Sequence, residues 1–413
     1  MTSFDVVEIC AGAGGQALGL EKAGFEHALA VELDANASQT LKNNRPSWKV
    51  ETGDVADEAV WKPRAYEGVS LLAGGVPCPP FTIAGKQLGA TDERDLFAWA
   101  IELVDQVKPR ALMLENVRGL SMPRFAGYRQ HVLDRLAALE YVGEWRLLQA
   151  SDFGVPQLRP RFVLVAMNAV DAPYFRWPEP MDPPLTVGET LVDLMGADGW
   201  EDASAWAARA NRIAPTVVGG SKKHGGADLG PTRAKRAWAD MGVDGLGVAD
   251  NPPQPGASFA VGPKLTCDMV ARIQGWSGEY PWEFHGRKTT KYRQIGNAFP
   301  PPVARAVGES IARAFRHEGI PQQRVSAEHD PIYTALRDAD GFLTANQLSR
   351  AVGAAIAAPD LERRISLLSR DFDIQVENGT SGPAYRLGEF KAFVGQDDHN
   401  RHEAFLKQRS RIS

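Results

Sequence analysis

From the N-terminus, short apolar runs alternate with helix-length amphipathic stretches. DVVEIC, HALAVE, VSLLAGG, RALMLEN and RFVLVAM each read as a strand, separated by helical stretches such as Gln16–Ala23 and Asp95–Val107. Runs that stay apolar, rather than alternating with polar residues, belong to strands covered on both faces. The pattern over residues 1–167 therefore predicts an α/β domain built on a doubly wound, mostly parallel sheet. Ligands of such sheets lie at the carboxyl ends of the strands. After residue 167 the periodicity breaks into a stretch rich in Pro, Gly and Trp, 168–263, whose aromatic content favours an irregular but folded domain. Helical spacing returns over 264–325, in KLTCDMVARIQGW and PPPVARAVGESIARAF. Residues 326–413 carry DPIYTALRDA, TANQLSRAVGAAI and DLERRISLLSRD, three helices with Thr344 and Asp360 as expected N-caps. FDIQVENGTSGPAYRL follows as a hairpin around NGTSG, so the tail reads as a small separate domain.

Composition narrows the setting. With 413 residues and 44% hydrophobic content the chain can bury more than one core. No apolar run approaches the roughly 18 residues of a membrane span, and the first residues lack a basic, apolar signal region, so a cytoplasmic location is expected. Cys10, Cys78 and Cys267 are odd in number and far apart, which argues against a disulfide framework and against a zinc site. A net charge of -5 gives no global basic field, so a nucleic-acid partner has to be met by local patches.

Candidate chemistry collects at the predicted strand ends. EICAGAGGQALGL is a Gly-rich turn opening a helix, in which glycines let backbone approach a ligand. AVELD puts Glu32 where an acid can hold both hydroxyls of a ribose. By itself this is equally a turn of any α/β protein. TGDV adds Asp54 as an acceptor for an adenine amino group, so three strand ends point at one nucleoside-bearing cofactor. At the fourth, AGGVPCPPF holds Cys78 between Pro77, Pro79 and Pro80, whose fixed backbone angles present the thiol rigidly, as a merely packed cysteine does not require. LMLENV places Glu115 and Asn116 at the end of the fifth strand, as a general acid beside the thiol or as a capping pair. In QLRPR, Arg159 and Arg161 are two apart and face one side of a beginning strand.

In this order the motifs resemble those of the C5-cytosine DNA methyltransferases, over about residues 4 to 315. CAGAGG, VELD, GDV, GGVPCPPF, ENV, QLRPR, KLTCDMVARIQGW and RQIGNAFPPPVA match the family's motifs in sequence order. The resemblance implies S-adenosylmethionine as cofactor, held by Cys10, Ala11, Gly12, Gly14, Gly15, Glu32, Leu33, Asp54, Val55, Pro77, Asn297 and Ala298. Cys10 stands where the family commonly has the Phe that packs on adenine, and Pro79 where Gln is common. It further implies that the Cys78 thiolate adds to C6 of a flipped-out cytosine, while Glu115 protonates N3 and Arg161, with Arg159 beside it, completes the catalytic set. The final helical segment is expected to return Asn297 to the first strand. Lys86 and Gln87, in the polar stretch after Cys78, are candidates for DNA contact.

The resemblance makes 168–263 the target-recognition domain, with Arg212, Lys222, Lys223, Arg233, Lys235 and Arg236 among glycines as local positive surface for duplex DNA. Residues 264–325 complete the catalytic domain. Action as a monomer on DNA is expected, within a restriction-modification system that brings a cognate endonuclease. The tail resembles a winged helix whose third helix would carry Arg363, Arg364 and Arg370. It is an accessory DNA contact or, given its many acids, a dock for a protein partner. One alternative is a tRNA methyltransferase of the same superfamily. The chain has Phe81-Thr82 but not that branch's Cys-Phe-Thr tripeptide. A catalytically silent DNA-binding relative would have no physical need of Cys78, Glu115 and Arg161 together. A fused nuclease would rest only on Pro359-Asp360 and Glu389-Phe390-Lys391, which read as a helix cap and a strand.

Overall fold

The structure is a computed structural model that describes residues 3–76, 94–181, 183–220, 226–276, 278, 280–323, 328–379 and 382–390. Pro77, Cys78, Lys86, Gln87, Lys222 and Lys223 lie outside the described residues. Two compact units share the chain. The first comprises 1–75, 107–115 and 145–323, the second 76–106, 116–144 and 324–413.

Most of the first unit is the expected sheet. β1 (Phe4–Ile9), α1 (Gly15–Lys22), β2 (Phe25–Glu32), α2 (Ala35–Asn44), β3 (Val50–Thr52) and β4 (Leu71–Gly74) come first, followed by α3 (Arg94–Val107) and β5 (Ala111–Val117). α4 (Ala126–Ala138), which like α3 belongs to the second unit, precedes β6 (Tyr141–Gln149), β7 (Gln157–Leu158) and β8 (Pro160–Asn168). Seven strands order as β3-β2-β1-β4-β5-β8-β6, and β1 pairs in parallel with both β2 and β4. Strand order therefore reverses between β1 and β4, and the carboxyl ends of those two strands flank the crevice where such sheets bind ligands. β4, read LLAG, is buried throughout, and so is β5 up to Asn116, as strands covered on both faces must be.

The 168–263 region is more regular than its sequence suggests. It holds α5 (Val187–Met195), α6 (Ala203–Arg209), the short strand β9 (Ala214–Pro215) and α7 (Thr232–Asp240). α5 begins with a capping box in which Thr186 and Glu189 satisfy each other's backbone amides. Trp200, Trp206 and Trp238 from this region share one apolar core with Met269 and Ile273 of α8 (Cys267–Ile273) and Tyr292 and Ile295 of α9 (Lys288–Asn297). α10 (Pro301–Phe315) starts on prolines whose missing amide costs nothing at a helix start, and it lies directly on α1. At Gly19 of α1 a Cβ would overlap the Pro301 carbonyl oxygen, so glycine is required there by helix contact.

The second unit contains the tail together with α4. Its remaining elements are α11 (Pro331–Arg337), β10 (Leu343–Thr344), α12 (Ala345–Val352), α13 (Ala358–Asp371), β11 (Phe372–Gly379) and β12 (Gly382–Phe390). β10-β12-β11 form a three-stranded sheet, and the order of helices and strands is winged-helix-like. Thr344 caps α12 with Gln347 completing a capping box, and the helix ends at Gly353 with φ 71°. Asp360 is not the cap of α13. Ala357 holds that position, and Asp360 sits in the first turn, where an acid faces the helix's positive end. None of the helices is long and apolar enough to cross a membrane, among the described residues.

Candidate active site

The loop after β1 is set by alternating left-handed residues, Cys10 (φ 52°), Gly12 (φ 57°) and Gly14 (φ 94°). The carboxylate of Glu32 ties it down, accepting from the Gly12 amide and the Asp34 amide, both at 2.7 Å. Burial raises the Glu32 carboxyl above its ordinary value, and these two amides oppose the shift. Ala11 donates its amide to Val31 at 3.1 Å, which joins the ends of β1 and β2.

The three glycines of this loop do different things. A Cβ at Gly12 would meet nothing, so this is the face open to a ligand. One at Gly14 would stand 2.5 Å from the Trp282 ring, and one at Gly15 would overlap the Phe299 carbonyl. At Gly14 and Gly15 the returning C-terminal part of this unit leaves no room for a side chain. Trp282 also donates its indole N–H to Ala13 at 2.8 Å. Trp282 and Phe299 carry no motif that would have picked them out. Leu33 is 52% exposed beside this loop, Val55 is buried, and Asp54 accepts from the Ala56 amide at 3.0 Å.

Glu115 and Arg161 are buried together, with Arg161 Nε 2.6 Å from Glu115 Oε1. The N–H is not aimed along that line, so the contact is an ion pair without a well-directed hydrogen bond. Arg161 also donates to the Pro160 carbonyl at 3.0 Å. Burial raises the Glu115 carboxyl more than Arg161 and Arg159 lower it, and burial likewise lowers the Arg161 guanidinium. The other carboxyl oxygen, Oε2, lies 3.4 Å from where a Cβ on Gly75 would be. A methyl group at Gly75, three residues before Cys78, would thus make ordinary contact with the carboxyl. One residue on from Glu115, Asn116 donates its amide to the Val76 carbonyl at 3.2 Å.

Arg159, expected to stand beside Arg161 in the catalytic set, has surroundings of its own. Its guanidinium is 1% exposed and donates to three backbone carbonyls: Val217 at 2.7 Å, Gly296 at 2.7 Å and Ala298 at 2.9 Å. Those groups stitch QLRPR to the segment after β9 and to the end of α9. Gln157 extends the seam. It accepts from the Val217 amide at 2.9 Å and donates to Gln274 at 2.7 Å, and Gln274 donates to Ile295 at 2.7 Å. Tyr292 donates to the carbonyls of Val218 and Asp228. Gly219 and Gly296 touch backbone to backbone, and Asn297 places its side chain against Gly219 with its amide 3.4 Å from the Gly220 carbonyl. Ala298, beside it, has its Cβ 3.0 Å from the Cβ position of Gly15, so the expected return of this segment to the first strand's loop is present. Gln157, Gln274 and Tyr292 went unnoticed in the sequence, where only the neighbourhood of Gln157 to the arginine pair could have drawn attention.

On α7, Arg233 and Arg236 are exposed and one turn apart, whereas Lys235 pairs with Asp228 at 2.8 Å and Arg212 stands 3.9 Å from Asp240. Among the described residues no cluster of His, Cys, Asp and Glu could hold a metal ion.

A mostly parallel sheet thus carries a Gly-rich loop at its switch point and a buried Glu–Arg pair at neighbouring strand ends. The chain belongs to the C-5 cytosine-specific DNA methylase family, whose model matches residues 4–313, and it is a DNA cytosine methyltransferase. It is 69% identical to the Type II methyltransferase M.NaeI of Lentzea aerocolonigenes over 100% of both chains. With the Type II methyltransferase M.NgoMIV of Neisseria gonorrhoeae it shares 50% identity, over 76% of this chain and 99% of that one. Among solved structures it resembles a Spodoptera frugiperda DNMT2 mutant (TM-score 0.53, 18% identity, 76% of this chain and 100% of that one). A putative DNA modification methyltransferase encoded within a prophage of E. coli is similar in the same way (TM-score 0.52, 20% identity, 76% and 100%). These two likenesses concern the fold. Membership of the family implies a methyl donor and a DNA substrate. The tRNA and silent-relative alternatives are not carried further.

Proposed function

We propose that the protein transfers a methyl group to C5 of a cytosine flipped out of a specific duplex DNA site, as the modification enzyme of a Type II restriction-modification system. The observation that carries the reading is the buried Glu115–Arg161 pair, whose carboxyl is held toward its protonated form by burial. Cytosine is a poor nucleophile at C5, and addition of the Cys78 thiolate to C6 makes the ring an enamine. Glu115 supplies the proton that N3 takes up as the adduct forms, and Arg161 donates to O2 as charge builds there. Once C5 carries the methyl group, removal of the C5 proton by a base and return of the N3 proton to Glu115 let the thiolate leave and restore the aromatic ring.

S-adenosylmethionine supplies the methyl group when bound. The loop fits such a group: the Gly12 face is open, the Glu32 carboxylate stands at the end of β2, and Leu33 presents apolar surface. Cys10, Ala11, Gly12, Glu32, Leu33, Asp54, Val55 and Pro77 are the proposed contacts. Gly14, Gly15, Asn297 and Ala298 serve by shaping the loop and its surroundings. Residues 168–263 would read the DNA site, with Arg233 and Arg236 on phosphates together with Lys222, Lys223, Lys86 and Gln87. Lys235 is the weakest candidate, because Asp228 already occupies its ammonium. We place the enzyme in the cytoplasm, acting as a monomer on DNA beside a cognate endonuclease.

Cys78→Ser tests the chemistry. Methyl transfer to duplex DNA should fall at least about a thousandfold, an amount in keeping with loss of a covalent nucleophile. Calorimetric titration of S-adenosylmethionine should change little. Duplex carrying 5-fluorocytosine at the target should be trapped covalently by the unaltered enzyme. Retained turnover in the variant would remove Cys78 from the mechanism.

A further inference from the structure

The tail has no part in the family match, which ends at residue 313, and M.NgoMIV is covered over 99% of its length by 76% of this chain. M.NaeI, matched over its whole length and that of this chain, has a counterpart of the extension, whereas nearly all of M.NgoMIV is matched by three quarters of this chain. Its charge also fits poorly with a DNA reader. Residues 326–413 hold thirteen Asp and Glu against eleven Lys and Arg, so the tail has no net basic charge, and on α13 the exposed Arg363 stands 3.7 Å from Asp360.

What the tail does contact, within its own unit, is α4. Leu368 of α13 fills the space over Gly127, where a Cβ would overlap its methyl group. Phe390 packs on His131 with ring centroids 4.2 Å apart and on Tyr128 at 5.8 Å, and Tyr128 in turn reaches Phe97 of α3 at 6.3 Å. Tyr333 lies 3.1 Å from His131 Nδ1, and Arg337 2.5 Å from Asp134. Gln130 accepts the His329 amide at 2.8 Å. These contacts run along α4 from Gly127 to Asp134.

Arg129 connects this docking to the catalytic segment. It is 7% exposed, and its Nη1 donates to the carbonyls of Leu120 at 2.8 Å and Met122 at 2.9 Å, while its Nε faces His329 of the tail at 3.4 Å. Leu120 lies in the short turn Arg118–Ser121, which begins at the end of β5, and Met122 joins it to the next, Pro123–Phe125. There Asn116 holds the Val76 carbonyl, two residues before Cys78.

We propose that Arg129 is a positioning residue through which the tail clamps the backbone between Asn116 and α4, so that the tail sets the nucleophile segment rather than reading DNA. The coupling path is contiguous: His329, Arg129, the carbonyls of Leu120 and Met122, Asn116 and Val76. Misplacement of a reacting group by about 1 Å costs on the order of a hundredfold, so a loosened clamp acts on the rate. The inference rests on Cys78 as the nucleophile.

Three full-length variants test it: Arg129→Met, Arg129→Lys and His329→Ala, the last changing only the tail side of the contact. For each, kcat and KM on duplex DNA, the rate of trapping by 5-fluorocytosine duplex and S-adenosylmethionine affinity are measured. Arg129→Met should lower kcat and the trapping rate tenfold or more. KM for DNA and cofactor affinity should stay within about twofold. Arg129→Lys should recover part of the loss, and His329→Ala should show a smaller loss of the same kind. A rise in KM for DNA with kcat unchanged would assign the tail to DNA binding and overturn the clamp. Unchanged kcat beside a lowered melting temperature would overturn it as well, leaving only a structural role. Should the unaltered enzyme methylate without ever being trapped, the covalent reading fails instead, and the kcat series still decides the clamp.

Discussion

The two compact units hold their functional residues by different means. Around QLRPR the contacts are directed and buried: Arg159 and Gln157 place nitrogen and oxygen atoms on the backbone of two distant segments at 2.7 to 2.9 Å. Around α4 they are mostly rings and edges, Phe390, Tyr333, Phe372 and His131, with ion pairs at the margin such as Arg337–Asp134. Directed polar contacts in a low-dielectric interior fix geometry, because each group left unpaired is costly. Ring packing gives adhesion with a broader minimum. A site in which a guanidinium and a carboxyl must meet a base edge is better served by the first kind, and attachment of an accessory segment by the second.

The largest effect should come from breaking the buried seam. Arg159→Met strands the carbonyls of Val217, Gly296 and Ala298 without their donor, and a loss of roughly 3–5 kcal/mol of stability is expected. Denaturant unfolding of the variant measures it. A loss below about 1 kcal/mol would show that water or neighbouring donors replace the guanidinium.

Acid should separate the two units by sign. In the first, Glu8, Glu32 and Glu115 are all raised by burial, so their protonation favours the folded state. Stability is gained there as pH falls through their raised values toward 4.5. In the second, burial pushes His131 and His329 down to about 4, and the presence of Arg129 adds to the shift of His329. Their contribution is present above the ordinary value near 6.5 and is lost as pH falls from there toward 4. Discounting the solvent exposure of His329, the two amount to about 2–3 kcal/mol, partly offset by Asp330, whose carboxyl burial raises. Hydrogen exchange at pH 7 and pH 4.5 should show amides of α4 and α11 losing protection while β1 and β4 keep theirs. Equal loss in both would remove the contrast.

The smallest effect belongs to the exposed basic face of α7. Arg233→Gln with Arg236→Gln should weaken DNA binding about three- to thirtyfold and lower the salt slope by one to two, without changing cofactor affinity. An unchanged slope would remove both from the phosphate contacts.

The amino-acid sequence alone determined the layered α/β order, because uninterrupted apolar runs allow nothing but strands buried on both faces, and β4 and β5 are such strands. It also made the family legible, since the motifs that hold Cys78, Glu115 and Arg161 stand in the family's order, and on these motifs the proposed chemistry rests. Thr344 as a cap was legible for the same reason, its partner Gln347 being three residues away. Only the tertiary structure decided between the two arginines of QLRPR. Alternation along a strand says that residues two apart share a side, but not what waits there, and Arg159 meets three carbonyls while Arg161 meets a carboxylate. Gly14 and Gly15 look like ligand glycines until Trp282 and Phe299, more than 260 residues away in the chain, arrive against them. Asp360 shows the local limit: a helix start shifts by a turn when Ala357 and Pro359 provide an earlier one. The tail's hold on α4 left no sequence signal at all, because aromatic contacts such as Phe390 with His131 depend on separations of hundreds of residues that no local spacing records.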